Sequence, residues 1–208
     1  MVDSDSGEGR RKQLRVRRRT DVSSPEPEAH PTVFCPGKGR SIQLAECAAC
    51  QHVHRVAEHE IECSPPESSL ANVLDEDPRL GGDVLTGETM GLHAVCARVE
   101  TPAGVVARAL ERERVLAAII VDEWGRYVGL VDRGDAEAAP GHECLHGLVR
   151  VVAPVREGTA LAPAIARMVQ ERARALPVVD DDRRPVGLLS DLDALRWVRQ
   201  SRCSLRIP

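Results

Sequence analysis

The order of apolar and polar positions predicts two copies of one series of elements in the second half of the chain. In the second copy, β-branched residues at 150–155 predict a strand, and apolar residues at helical spacing predict a helix over 160–174. A hairpin follows, with strands at 176–179 and 185–189 joined by an Asp-rich turn. A last helix is predicted from Ser190 to Val198. The segment therefore has the pattern of an α/β unit.

The first copy has the same order, with a helix over 105–114, hairpin strands at 117–121 and 127–131, and a weak last helix after Asp135. One such copy is too small to be stable alone, so we expect the two copies to share a core. The residues that are identical at a constant offset of 58 are Thr101/Thr159, Glu113/Glu171, Arg114/Arg172, Val121/Val179, Asp122/Asp180, Arg126/Arg184, Gly129/Gly187 and Asp135/Asp193.

Two segments of the second copy carry a family resemblance. The sequences LPVVD at 176–180 and PVGLLSDLD at 185–193, preceded by Thr159 and an amphipathic helix ending at Met168, resemble the cystathionine β-synthase (CBS) domain family. The resemblance implies an α/β (α+β) fold in which two tandem β-α-β-β-α CBS repeats form one pseudo-twofold module, a Bateman module. It also implies clefts that bind adenosine-containing ligands, and a homodimer of two modules.

The resemblance also implies a ligand site in the second copy. The Asp193 carboxylate, at the start of a helix, suits the two hydroxyls of a ribose, and Ser190 with the first-turn amides suits a phosphate. The implied ligand is AMP, ADP, ATP or S-adenosylmethionine. A capping pair is the alternative interpretation, because Ser followed three residues later by an acid satisfies helix amides. The predicted ligand-binding residues are Val152, Ala153, Pro154, Thr159, Pro177, Val178, Ser190 and Asp193.

The first copy departs from this pattern. Asp132 stands where the motif has Ser or Thr, and Ile119 stands where it has Pro. A carboxylate at that position repels a phosphate by about 1 kcal/mol. Pro and Gly at 138–141 interrupt the last helix. We therefore expect one competent cleft, and a degenerate second cleft formed by Thr101, Ile119, Ile120, Asp132 and Asp135.

Four cysteines nearer the N-terminus have the spacing C-x11-C-x2-C-x12-C. The central C-x2-C pair can place two thiolates on one tetrahedral ion, and the whole segment is similar in part to a zinc ribbon. We predict structural zinc. The alternatives are an iron-sulfur cluster, a redox-active pair, or unligated cysteine, and His52 or His54 can replace an outer ligand. The predicted metal ligands are Cys35, Cys47, Cys50 and Cys63.

The chain start is polar and basic. Residues 1–32, with a basic run at 10–19, predict a disordered tail that is either solvated or contacts nucleic acid or an acidic partner. A net charge of −4 and the four aromatic residues disfavour nucleic acid. The predicted domains after the tail are the Cys-rich segment at 33–64, a linker at 65–88 with a short helix near Leu70, repeat 1 at 89–140, repeat 2 at 145–200 and a tail at 201–208.

The remaining sequence features restrict the function. No apolar run approaches the roughly 20 residues of a membrane helix, and no signal peptide is recognisable, so we expect a cytoplasmic protein without a membrane partner. No Walker loop, G-x-S-x-G or HExxH motif occurs, so we expect no enzyme. Two hypotheses follow. Either the CBS pair senses an adenosine-containing ligand and signals to a protein partner, or it is a dimerisation scaffold for a zinc-stapled N-terminal module that binds protein or nucleic acid.

Overall fold

The computed structural model describes residues 11–65 and 84–204 of the chain. The N-terminal part consists of short strands and one short helix. In chain order these are β1 (Lys12–Asp21), β2 (Glu28–Cys35), β3 (Arg40–Gln43), α1 (Leu44–Ala48), β4 (Val53–Val56) and β5 (Glu60–Cys63).

Both repeats are present as α/β units, as the sequence predicts. The first consists of α2 (Thr86–Thr89), β6 (His93–Arg98), α3 (Ala103–Glu113), β7 (Ala117–Val121), β8 (Tyr127–Asp132) and α4 (Arg133–Ala138). The second consists of a 3-10 turn (Leu145–Gly147), β9 (Val155–Arg156), α5 (Leu161–Glu171), β10 (Ala175–Val179), β11 (Pro185–Ser190) and α6 (Asp191–Ser204). The predicted strand at 150–155 is reduced to β9, and α6 extends beyond the predicted end of repeat 2.

The prediction of a disordered tail is wrong from Lys12 onward. Strand β1 pairs with β2 and β5 in antiparallel orientation, and with β6 of the first repeat in parallel orientation. The sheet therefore has the order β3-β2-β1-β6-β7-β8, and the N-terminal strands extend the sheet of repeat 1. Hydrogen bonding of β1 to three neighbouring strands offsets its unfavourable, Arg-rich composition. Residues 1–10 lie outside the described residues.

The predicted linker is only partly described. Residues 66–83, which include the predicted helix near Leu70, lie outside the described residues. From Val84 onward the segment packs on repeat 2: the Thr86 amide donates to the Thr159 carbonyl (2.8 Å), and Thr86 is fully buried. Residues 84–88 therefore belong to the repeat module.

Reciprocal hydrogen bonds relate the two repeats by a pseudo-twofold axis. The Leu161 amide donates to the Val84 carbonyl, and the Ala103 amide donates to the Glu143 carbonyl, each at 2.8 Å. The segment leading into each repeat thus pairs with the first turn of the helix of the other repeat. A second such pair is formed where the Gly91 amide donates to Leu188 and the Arg150 amide donates to Leu130.

Buried apolar side chains of the described residues form three clusters. The first contains residues of both repeats, so the predicted shared core is present. The second lies under α3 and includes Val22 from the N-terminal part. The third is a separate small core of the N-terminal strands, in which Val33 and Ile61 are fully buried. Among the described residues, no helix is long and apolar enough to cross a membrane.

Candidate functional site

Ser190 and Asp193 form a reciprocal capping box at the start of α6. The Ser190 amide and hydroxyl both donate to Oδ2 of Asp193, at 3.0 and 2.6 Å, and the Asp193 amide donates to Oγ of Ser190 at 3.2 Å. This arrangement satisfies helix amides that otherwise have no partner. Oδ1 of Asp193 takes no part in the capping box and lies 3.5 Å from Nη1 of Arg196. The capping role predicted as an alternative is therefore present in the structure.

Asp193 also borders a cavity of about 940 Å³. Only 8% of the residue surface is exposed, although the side chain carries a charge. The cavity lies between β1, the segment from α2 to β6, and α6, and its volume suits a small organic ligand. Its lining consists of Lys12, Gln13, Leu14, Arg15, Arg17, Phe34, Pro36, Val84, Glu88, Thr89, Met90, Gly91, Leu92, Leu192, Asp193, Leu195, Arg196, Trp197 and Arg199.

Arg17, in β1, lines the cavity, although the sequence predicts that it belongs to a disordered tail. It is 5% exposed, and its Nη2 donates to the Glu88 carbonyl at 3.1 Å. Burial lowers its pKa to about 10, against the attraction of Glu157 and Glu88. Nothing local in the basic run marks this residue, because its burial comes from elements distant in sequence.

Other predicted ligand residues lie elsewhere. Pro177 and Val178 are buried in β10. The Val152 carbonyl accepts from the Tyr127 hydroxyl at 2.6 Å, and the carbonyls of Ala153 and Pro154 accept from Arg167. None of these residues lines the cavity beside Asp193.

This placement arises because the segment that leads into each repeat packs on the other repeat. The backbone segment beside Asp193 is the one leading into repeat 1, because the Gly91 amide donates to the Leu188 carbonyl at 3.0 Å. A Cβ on Gly91 would lie 3.4 Å from Oδ2 of Asp193. Thr159 is likewise used in the fold, because its carbonyl accepts from both the amide and the hydroxyl of Thr86. The structure therefore brings together Ser190 and Asp193 with Gly91, and separates them from residues 152–154.

The corresponding positions of repeat 1 have a different environment. Asp135 is exposed, and Asp132 makes no side-chain capping bond and instead pairs with Nη2 of Arg150 at 3.2 Å. Ile119 and Ile120 are fully buried in β7. Thr101 is buried too, and its hydroxyl has no hydrogen-bond partner among the described residues. The two copies thus differ at the helix start, where only repeat 2 has a buried carboxylate.

The four N-terminal cysteines lie in one region. Cys47 and Cys63 are buried, and Cys35 and Cys50 are partly buried. Burial raises the pKa of Cys47 to about 11, and the nearby thiols of Cys35, Cys63 and Cys50 add to this effect. The donor type fits zinc. Within residues 11–65 and 84–204, however, no group of three or more His, Cys, Asp or Glu side chains has the arrangement of a metal site.

Comparison with known proteins supports the identification of the two repeats as a tandem α/β module of a known class. Residues 148–200 match the family model of the CBS domain. The two repeats together have the fold of a tandem CBS domain pair. The matched family model and the CBS-pair structures similar to it are not those of an enzyme family. A comparison with curated proteins gave no match.

Several solved structures are similar over the repeat region. The CBS domain pair of protein MJ0100, in complex with 5′-methylthioadenosine and S-adenosyl-L-methionine, is 22% identical with a TM-score of 0.52, and the match covers 57% of this chain and 98% of that chain. A CBS domain pair/ACT domain protein from Thermotoga maritima is 17% identical with a TM-score of 0.50, over 57% and 98%. The cytosolic domain of the Mg²⁺ channel MgtE, in complex with ATP, is 25% identical with a TM-score of 0.50, over 58% and 55%.

Proposed function

We propose that this protein is regulatory and that its CBS pair binds an adenosine-containing ligand beside Asp193. The observation that carries the proposal is the buried carboxylate of Asp193 at the start of α6, on the wall of a cavity of about 940 Å³. Two of the similar structures support the ligand class, because one contains 5′-methylthioadenosine and S-adenosyl-L-methionine and another contains ATP.

In this proposal, Asp193 accepts hydrogen bonds from the ribose hydroxyls. Its Oδ2 already accepts from Ser190, so Oδ1 is the atom with more remaining acceptor capacity. The aromatic and aliphatic side chains of Trp197, Leu192 and Leu195 provide apolar surface for the adenine. Ser190 acts by holding the carboxylate in place.

Signalling follows from where the cavity lies. Its walls come from the N-terminal sheet and from both ends of the repeat module, so a bound ligand favours one arrangement of these parts. A protein partner that distinguishes the arrangements then responds to the ligand. We propose that the protein acts as a homodimer in the cytoplasm, with the partner's identity set by surfaces outside the cavity.

Thermal unfolding in the presence of ligands tests the proposal. We expect AMP, ADP, ATP or S-adenosylmethionine at 100 times Kd to add about 2.7 kcal/mol to the free energy of unfolding. Asp193→Ala should abolish the ligand-induced shift. Asp191→Ala is the matched control, because Asp191 is also at the start of α6 but does not line the cavity. An equal ligand-induced shift in wild type and Asp193→Ala contradicts the site.

A second candidate function places the activity in the N-terminal part, with the CBS pair as a dimerisation scaffold. The clustering of four thiols around one small core favours it, because a zinc ion would stabilise such a core and leave a surface for protein or nucleic acid. Metal analysis of the purified protein should then find about one zinc per chain. The Cys47→Ser/Cys50→Ser variant should lose that zinc, and a metal-free wild-type protein with an intact fold contradicts the zinc module.

A further inference from the structure

Arg17 brings a buried cation from the N-terminal sheet to the cavity of Asp193. Among the described residues its guanidinium makes one hydrogen bond, from Nη2 to the carbonyl of Glu88. The Nε and Nη1 atoms are buried and have no hydrogen-bond partner within residues 11–65 and 84–204. A buried donor without an acceptor is unfavourable, and more so when it is charged. The Nε and Nη1 groups therefore gain hydrogen-bond acceptors when a ligand oxygen binds beside them.

The charge of the cavity wall favours an anion. Two acidic residues line the cavity, Glu88 and Asp193, against five basic residues. Among the described residues, ion pairs form at Arg11 and Arg18 but not at Arg17, although Glu157 and Glu88 are near enough to attract its guanidinium. The basic residues on the wall are Lys12, Arg15, Arg17, Arg196 and Arg199.

We propose that the ligand carries phosphate and that Arg17 binds the phosphate oxygens while Asp193 binds the ribose. This inference rests on the proposed function, and it assigns the ligand to the adenosine phosphates. A guanidinium with two adjacent N–H donors suits two phosphate oxygens, and the four other cations favour a group of more than one negative charge. Neutral adenosine derivatives leave these donors unpaired.

The two residues belong to different parts of the molecule. Arg17 is on β1 of the N-terminal sheet, and Asp193 is on α6 of the second repeat. A nucleotide held by both therefore bridges strand β1 and helix α6, which lie in different parts of the chain. The N-terminal part is then a component of the ligand site and senses occupancy directly.

Fluorescence of Trp197, on the cavity wall, provides a binding signal. The other tryptophan, Trp124, is 65% exposed and can be replaced by Phe to leave one fluorophore. Titration of Trp124→Phe protein with AMP, ATP, adenosine, S-adenosylmethionine and pyrophosphate should show tighter binding of AMP and ATP than of adenosine. Arg17→Met should weaken AMP and ATP binding about tenfold or more and change adenosine binding less than about twofold.

Arg18→Gln is the matched control, because Arg18 is the next residue of β1 and its side chain is exposed. It should leave all affinities unchanged. If Arg17→Met does not fold, the wild-type protein still tests the phosphate assignment, because AMP affinity must exceed adenosine affinity and fall with added salt. Arg17→Lys then tests the guanidinium itself, since it keeps the charge, removes the paired N–H donors and should weaken AMP binding more than adenosine binding.

The outcomes separate the two proposals. Equal binding of AMP and adenosine, unaffected by Arg17→Met, overturns the role of Arg17 and leaves the Asp193 site intact. Tighter binding of S-adenosylmethionine than of AMP overturns the phosphate assignment, because the anion is then a carboxylate. Binding of pyrophosphate but of no adenosine compound, lost in Arg17→Met, overturns the adenosine function and keeps the anion site. No binding of any probe overturns both.

Discussion

Gly129 lies so close to Val149 that no side chain fits between them. A Cβ on Gly129 would be 2.5 Å from Cγ1 of Val149 and 3.0 Å from the carbonyl oxygen of Arg150. Gly187 has the same relation to Met90 in the other copy, with 2.4 Å from the added Cβ to Sδ. Identical glycines at the offset of 58 therefore lie where the segment leading into one repeat crosses the hairpin of the other, and the contact with backbone makes the restriction stronger at Gly129.

Gly129→Ala should destabilise the protein by about 1–3 kcal/mol, because the new methyl group overlaps a branched side chain and the backbone. Urea unfolding monitored by circular dichroism measures this. Adding Val149→Ala should recover part of the loss by removing Cγ1.

Gly134→Ala is the control for the same substitution without the contact. A Cβ there meets nothing within 4 Å, and the residue lies in α4. Alanine should be neutral or stabilise by up to about 1 kcal/mol, since glycine is the weaker helix former. Equal losses for the two variants would contradict the packing argument.

The repeats could be predicted from the sequence because the pattern that indicates them is formed by neighbouring residues and occurs twice. Hairpin strands β7, β8, β10 and β11 are short apolar runs around Asp-containing turns, and a fixed offset aligns one copy with the other. Asp193 could be found for the same reason, since a helix start with Ser190 three residues before it is a local pattern.

Strand β1 could not be predicted, because its residues lack the apolar alternation that indicates a strand. Both Val16 and Arg17 are buried, and they lie on opposite faces of the strand. Val16 packs in the N-terminal core, whereas Arg17 is covered by Glu88 and its neighbours. The pairing of residues 84–91 with the second repeat could not be predicted for a similar reason. The sequence of one repeat does not indicate that the segment preceding it packs on the other repeat.

Ser190→Ala should cost about 1 kcal/mol of stability, because it removes the hydroxyl that completes the capping box with Asp193. Asp132→Ala, at the equivalent position of repeat 1, removes no capping bond and only an exposed pair with Arg150. It should cost about 0–0.5 kcal/mol. Chemical unfolding of both variants gives the comparison, and a larger loss for Asp132→Ala is the result that the structure does not allow.

Cys144 and Cys96 should differ strongly in reactivity. Cys144 is exposed, whereas Cys96 is 2% exposed, and burial raises the pKa of its thiol to about 12. Iodoacetamide at pH 8 should label Cys144 at least about 100-fold faster, as measured by peptide mass spectrometry. In urea the two rates should converge. Rapid labelling of Cys96 in the folded protein would mean that β6 opens readily.

Glu157 should make stability depend on pH. It is 5% exposed, and burial raises the pKa of its carboxyl, although the Ser41 amide donates to Oε2 at 2.7 Å. The native state then binds the Glu157 proton more tightly than the unfolded state does. The contribution of this carboxyl to stability is therefore present below its ordinary pKa and is lost as pH rises through the higher native value.

Glu157→Gln retains an oxygen that accepts from the Ser41 amide and removes the charge. The difference in unfolding free energy between variant and wild type should therefore increase in favour of the variant as pH rises from about 4 to about 7. Urea unfolding at several pH values measures it, with Glu60→Gln as the control at an exposed position. A difference that is constant across this range, or that favours wild type at neutral pH, would show that the attraction of Arg17 outweighs the burial of Glu157.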